Sequence, residues 1–84
     1  KVQLYPNPTK GNFNIEFNSS TKKMVLVEVY NALGSKVIDT KYTIDIGNSI
    51  MRTSLENYNS GLYFVSIIDA VGNNVIYKSR IIKE

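Results

Sequence analysis

The chain has no cysteine and no histidine among its 84 residues. Without cysteine, no disulfide can staple the fold and no thiolate can serve as nucleophile or metal ligand. That absence leaves the compartment open, because exported domains also do without cysteine. Without histidine, the commonest general base and the commonest transition-metal ligand are both missing. Proline occurs only twice, at Pro6 and Pro8. No apolar run approaches the roughly eighteen residues needed to span a bilayer. Charge of one sign is also scarce: ten Lys/Arg face seven Asp/Glu, for a net charge of +3. The basic residues are scattered, which confers solubility; a nucleic-acid footprint would form a dense patch.

What is present is globular. Apolar residues make up 43% of the chain and aromatics 11%, unlike a disordered tail. The length allows one domain, residues 1–84, which hides about 60–65% of its unfolded surface. The chain starts at Lys1 rather than methionine and shows no signal peptide. It is therefore expected to be a fragment of a larger secreted protein.

The dominant hydrophobic period is two. In NFNIEF, Phe13, Ile15 and Phe17 alternate with Asn12, Asn14 and Glu16, the pattern of a half-buried strand. Met24 to Tyr30 carries Val25, Val27 and Val29 on one face and is apolar on most of the other, which predicts a central strand. Gly34 suits a positive φ in the hairpin turn that follows. Lys36 to Tyr42 mixes charges into its alternation and reads as an edge. Ile50 to Leu55 places Met51, Thr53 and Leu55 on one side. Gly61 to Asp69 is a second strongly apolar strand, AVGNN turns the chain, and Val75 to Ile82 closes it. With the opening VQLY these make seven strands at short, regular spacing. The prediction is an all-β fold, a seven-stranded antiparallel immunoglobulin-like β-sandwich. NSGLY has the form of a tyrosine corner, in which the Tyr63 hydroxyl bonds back to the backbone a few residues upstream. The Cys–Trp–Cys core of antibody domains is absent.

The opening LYPNPTKGNF raises a separate question. Pro6 and Pro8 fix φ and supply no N–H, and each biases the residue before it, Tyr5 or Asn7, toward extended geometry. A stiff, extended step is expected here, turned into the Phe13 strand by Thr9-Lys10-Gly11.

Catalytic chemistry finds little support. The carboxylates Glu16, Glu28, Asp39, Asp45, Glu56, Asp69 and Glu84 show no glycosidase-like pairing. Asp39 and Asp45 could approach one another near a loop and offer oxygen to calcium, but no Asp-x-Asp-x-Asp-Gly pattern exists. The serines have no histidine to activate them. No enzyme activity, metal or cofactor is expected.

Four blocks in order carry a resemblance: LYPNPTKGNFNIEF, VEVYNALGSKV, SGLYFVSI and a basic, apolar last strand. Together they resemble the C-terminal sorting domain of the type IX (Por) secretion system, over essentially all 84 residues. The family's motifs fall on Tyr5, Pro6, Asn7, Pro8, Gly11 and Phe13, on Gly34, and on Gly61 and Tyr63. Tyr58 stands where leucine is usual, and Thr53 where an aliphatic residue is common. The resemblance implies a signal rather than an active site, carried behind a passenger domain upstream in the same chain. Such domains fold in the periplasm and are read by an outer-membrane translocon in Gram-negative cells. A sortase-like peptidase at the cell surface commonly removes them, near or upstream of Lys1 here. The recognition residues implied are Lys78, Arg80, Ile81, Ile82 and Lys83, through strand addition and basic contacts; Lys78 and Arg80 could equally serve to blunt an exposed edge. No nucleic-acid partner and no membrane span are implied, and an edge strand could pair with a second copy. The other reading is a carbohydrate-binding or adhesive immunoglobulin-like module, with Tyr5, Tyr30, Tyr42, Tyr58 and Tyr77 as a stacking platform; a plain spacer is a third.

Overall fold

In the computed structural model, which describes residues 2–84, the period-two segments become seven strands. They are β1 (Val2–Tyr5), β2 (Asn12–Ser19), β3 (Lys23–Asn31), β4 (Lys36–Ile44), β5 (Gly47–Ser54), β6 (Gly61–Asp69) and β7 (Val75–Lys83). Lys1, near which processing is expected, lies outside the described residues. All strand pairings are antiparallel. One sheet has the order β1-β2-β5 and the other β4-β3-β6-β7. No helix occurs among the described residues.

The two sheets close over the side chains the alternation assigns inward. Phe13, Ile15 and Phe17 of β2 face Val25, Val27 and Val29 of β3 and Tyr63, Val65 and Ile67 of β6, all buried. Burying each such side chain favours folding by about 1.5–3 kcal/mol before entropy is counted. β3 is central, flanked by β4 and β6, and β4 is an edge, as its charges predict. β5 starts three residues earlier than expected because its pairing with β2 runs on to Ser19↔Gly47. Leu55 is fully buried but falls just past the end of β5.

The Pro-Asn-Pro step differs from expectation. Residues 6–8 bend instead of extending, and both the Tyr5–Pro6 and Asn7–Pro8 bonds are cis. The tertiary amide of an X–Pro bond makes this geometry accessible.

Tyrosine hydroxyls blunt two of the open sheet edges. Tyr42 donates to the Arg52 carbonyl of β5 at 3.0 Å, and Tyr58 donates to the Val37 carbonyl of β4 at 2.8 Å. Occupied edge groups cannot template another chain.

Thr53 is buried, and its hydroxyl lacks a hydrogen-bond partner. A buried unpaired hydroxyl costs about 1–3 kcal/mol, while an apolar group of the same shape costs nothing of the kind. Thr53→Val is therefore expected to raise the thermal midpoint; a lower midpoint in a melting curve would show that the hydroxyl is satisfied.

The β6–β7 turn has a pH-dependent element. The Asp69 carboxylate accepts the Val71 and Gly72 N–H groups at 2.9 and 3.2 Å. Those bonds favour the ionised form and hold its pKa below the ordinary 3.8. A depressed carboxyl stabilises the fold fully above its unfolded value and loses that contribution as pH falls through the lower, folded one. The turn is thus expected to loosen in acid below 3.8. An NMR titration should show this transition at Val71 and Gly72, and its persistence in Asp69→Asn would contradict the assignment.

Candidate functional site

Strand register gathers the four sequence blocks at one end of the sandwich. Asn12 pairs with Ser54, Asn31 with Tyr63, and Gly61 with Lys83. The Pro-Asn-Pro corner, the Gly34 hairpin, the tyrosine corner and the end of β7 are therefore neighbours.

The Pro-Asn-Pro corner grips β7. The Asn7 carboxamide donates to the Arg80 carbonyl and accepts the Ile82 N–H, both at 3.0 Å. The Thr9 N–H donates to the Ile82 carbonyl, and the Glu84 N–H donates to the Thr9 carbonyl, both at 2.8 Å. Thr9 and Lys83 form a parallel bridge. These groups, three on β7 and one on Glu84 just past it, point away from β6, so Asn7 and Thr9 occupy the edge that would otherwise be open. The Asn7 carboxamide and the Thr9 backbone together do the work of a short strand.

The grip is itself braced. Thr9, 1% exposed, accepts the Gly11 N–H on its hydroxyl at 3.0 Å and donates to the Asn12 carbonyl at 2.5 Å. Gly11 has φ of 157° and accepts the Leu55 N–H at 2.8 Å, tying the corner to the β5–β6 loop. Thr9→Val keeps the shape but orphans the Gly11 N–H, so a loss of about 1–3 kcal/mol is expected in urea unfolding. An unchanged midpoint would show that the hydroxyl braces nothing.

The predicted tyrosine corner is present. The Tyr63 hydroxyl donates to the Asn59 carbonyl at 2.5 Å, four residues upstream. In the β3–β4 hairpin, Gly34 has φ of 90° and donates to the Asn31 carbonyl at 3.0 Å. A residue with a Cβ adopts that angle only at a cost. Tyr5 lies in β1, where its hydroxyl donates to Glu16 at 2.8 Å. That bond, together with a second that Asn48 donates to the other carboxylate oxygen at 2.7 Å, holds the Glu16 carboxyl below its ordinary value, and the bond to Glu16 raises the Tyr5 phenol.

The five candidate recognition residues divide. Lys78 and Arg80 are exposed on the outer face of β7, opposite Ser66 and Phe64. Among the described residues neither side chain has a hydrogen-bond or ion-pair partner. Ile82 is half exposed beside Leu62. Ile81 is fully buried in the core, and its side chain contributes packing instead of surface. Lys83 directs its ammonium to the Glu56 carbonyl at 3.2 Å and to the Tyr58 carbonyl, locking the β5–β6 loop onto β7. Asn7, Gly61, Leu62, Arg80 and Ile82 together line a shallow, mostly apolar groove.

Other candidates are spread apart. Tyr5, Tyr30, Tyr42, Tyr58 and Tyr77 stand on five segments, and Tyr30 and Tyr42 point to opposite faces of their sheet. The hydroxyls of the first four are bonded within the molecule. Asp39 and Asp45 each lie near a lysine, Lys36 at 3.3 Å and Lys22 at 3.9 Å. The sequence pattern placed Asn7 in a stiff extended step and Thr9 in the turn after it. Their grip on β7 spans more than seventy residues, and the only signal was the polar Asn between two prolines.

Comparison with known proteins gives one family. The model described as secretion system C-terminal sorting domain matches residues 3–84. No curated protein matches. Among solved structures, the crystal structure of the Bifidobacterium adolescentis GH3 beta-glucosidase aligns at a TM-score of 0.49 and 12% identity. That alignment covers 98% of this chain and 16% of the enzyme.

Proposed function

Because this chain belongs to the family of secretion system C-terminal sorting domains across residues 3–84, we propose that its address is read where the Pro-Asn-Pro corner, the tyrosine corner and β7 meet. The domain is a sorting signal for type IX secretion, and its destination is the outer membrane or cell surface. The family is not an enzyme family. The observation that carries the location is convergence: blocks scattered along the sequence assemble at one end through Asn7, Thr9, Gly11, Lys83 and Tyr63.

In this reading residues 1–84 act as one unit behind an upstream passenger. Lys78, Arg80 and Ile82 contact the translocon. Ile81, Lys83, Gly34, Gly61, Tyr63, Pro6 and Pro8 keep the end in shape. A sortase-like peptidase then releases the passenger at the cell surface.

Export tests it. Residues 1–84 are fused behind a fluorescent reporter in a cell with the secretion system, with and without Ile81–Glu84. The full fusion is expected at the surface and the shortened one inside. Equal surface fluorescence from both would end the idea that β7 carries the address.

A further inference from the structure

A partner could add a strand to β7 or grip its side-chain face, and the two modes need different atoms. Strand addition needs free edge groups. From residue 80 onward the Arg80 carbonyl, both backbone groups of Ile82 and the Glu84 N–H are already bonded to Asn7 and Thr9. Counting back by two along the strand, Lys78 and the Arg80 N–H remain on that edge before the bulge that breaks the β6–β7 register between Tyr77 and Val75 and turns the start of β7 away from regular pairing. This is too short for a strand to hold.

The face is open. Ile82 is 49% exposed and Phe64 41%. Cross-strand pairing sets them in a strip: Ile82 beside Leu62, Arg80 beside Phe64, Lys78 beside Ser66. Two unpaired cations thus border apolar side chains, and the groove between Asn7, Leu62, Arg80 and Ile82 lies at the clasped end. The chain as a whole is also cationic.

We propose that this strip docks an acidic protein surface, with an apolar side chain of the partner in the Leu62–Ile82 groove and carboxylates on Arg80 and Lys78. Asn7 is the positioning residue that keeps the strip in place by occupying the edge. The inference rests on the reading that β7 carries the address, and it names the chemistry of the reader. The reader recognises a clasped, folded strand and does not extend it. Electrostatic complementarity of this kind sets specificity and encounter rate.

The test uses the reporter fusion with three changes: deletion of Ile81–Glu84, Arg80→Glu, and Asn7→Ala. Arg80→Glu places a like charge against the partner and is expected to lower surface reporter about tenfold or more. Hydrogen exchange on the purified fusion should be unchanged in that variant. Asn7→Ala is expected to lower export similarly while exchange speeds up in residues 78–84 and stays slow in β3 and β6. Normal export of Arg80→Glu overturns the proposal. So does normal export of Asn7→Ala with a fast-exchanging tail, or slow exchange of that tail despite the substitution. Should Asn7→Ala speed exchange throughout the domain, Arg80→Glu alone decides. Export of the deletion variant at the parent level removes the underlying reading instead, so the two failures are distinct.

Discussion

Replacing Ile81 by alanine is expected to lower the unfolding free energy by about 2–4 kcal/mol. It should also reduce export without touching the recognition surface. The Ile81 side chain is fully buried and sits opposite Tyr63 in the β6–β7 register. A small domain is stable by only about 5–15 kcal/mol, and this one has no disulfide to make up the deficit. Part of the population then unfolds at working temperature, and surface reporter should recover on cooling. Ile81→Val removes one methyl, costs about 0.5–1.5 kcal/mol and should export normally. Urea unfolding checks the first value. A midpoint equal to the parent's would mean that the side chain does not pack as placed.

The same burial bears on tail deletion. Removing Ile81–Glu84 takes away a core residue, two N–H groups held by Asn7 and Thr9, and the ammonium that holds the β5–β6 loop. Loss of export in that variant mixes folding with recognition. Arg80→Glu changes an exposed side chain that has no partner among the described residues, and separates them.

Local signals made the strands legible. Val25, Val27 and Val29 point inward because side chains alternate, and a run of nine residues contains enough alternation to see. The Tyr63 hydrogen bond was readable because it closes within four residues. Inward placement of Ile81 also follows from the alternation; naming it for recognition set position in the last strand above face. What the sequence hides is partnership over distance. Nothing in the period of β5 says that it joins β2 in one sheet while β4 joins β3 in the other. Asn7 and Arg80 are 73 residues apart, and a carboxamide that completes a turn looks the same in sequence as one that caps a strand. Lys83 reads as a free cation until the Glu56 and Tyr58 carbonyls are seen beside it.

The clasp depends on the absence of one atom, and Gly11→Ala is expected to cost about 2–4 kcal/mol through two separable causes. The first is backbone geometry. At φ of 157° the position lies where L side chains rarely go, and holding one there costs about 1–3 kcal/mol. The second is contact. A Cβ at Gly11 would stand 2.8 Å from the Glu56 Cγ and 3.4 Å from the Glu56 Cα. Glu56 cannot yield freely, because the Gly11 carbonyl holds the adjacent Leu55 N–H and the Lys83 ammonium holds the Glu56 carbonyl. Relief by movement would therefore loosen Leu55 in the core and Lys83 on β7 together. A double-mutant cycle divides the causes. Glu56→Ala removes the Cγ, so in that background Gly11→Ala should cost only the backbone part, about 1–3 kcal/mol. Urea unfolding of the four proteins gives the coupling. An identical cost in both backgrounds would assign the whole effect to φ, and no cost in either would mean that the corner does not require glycine.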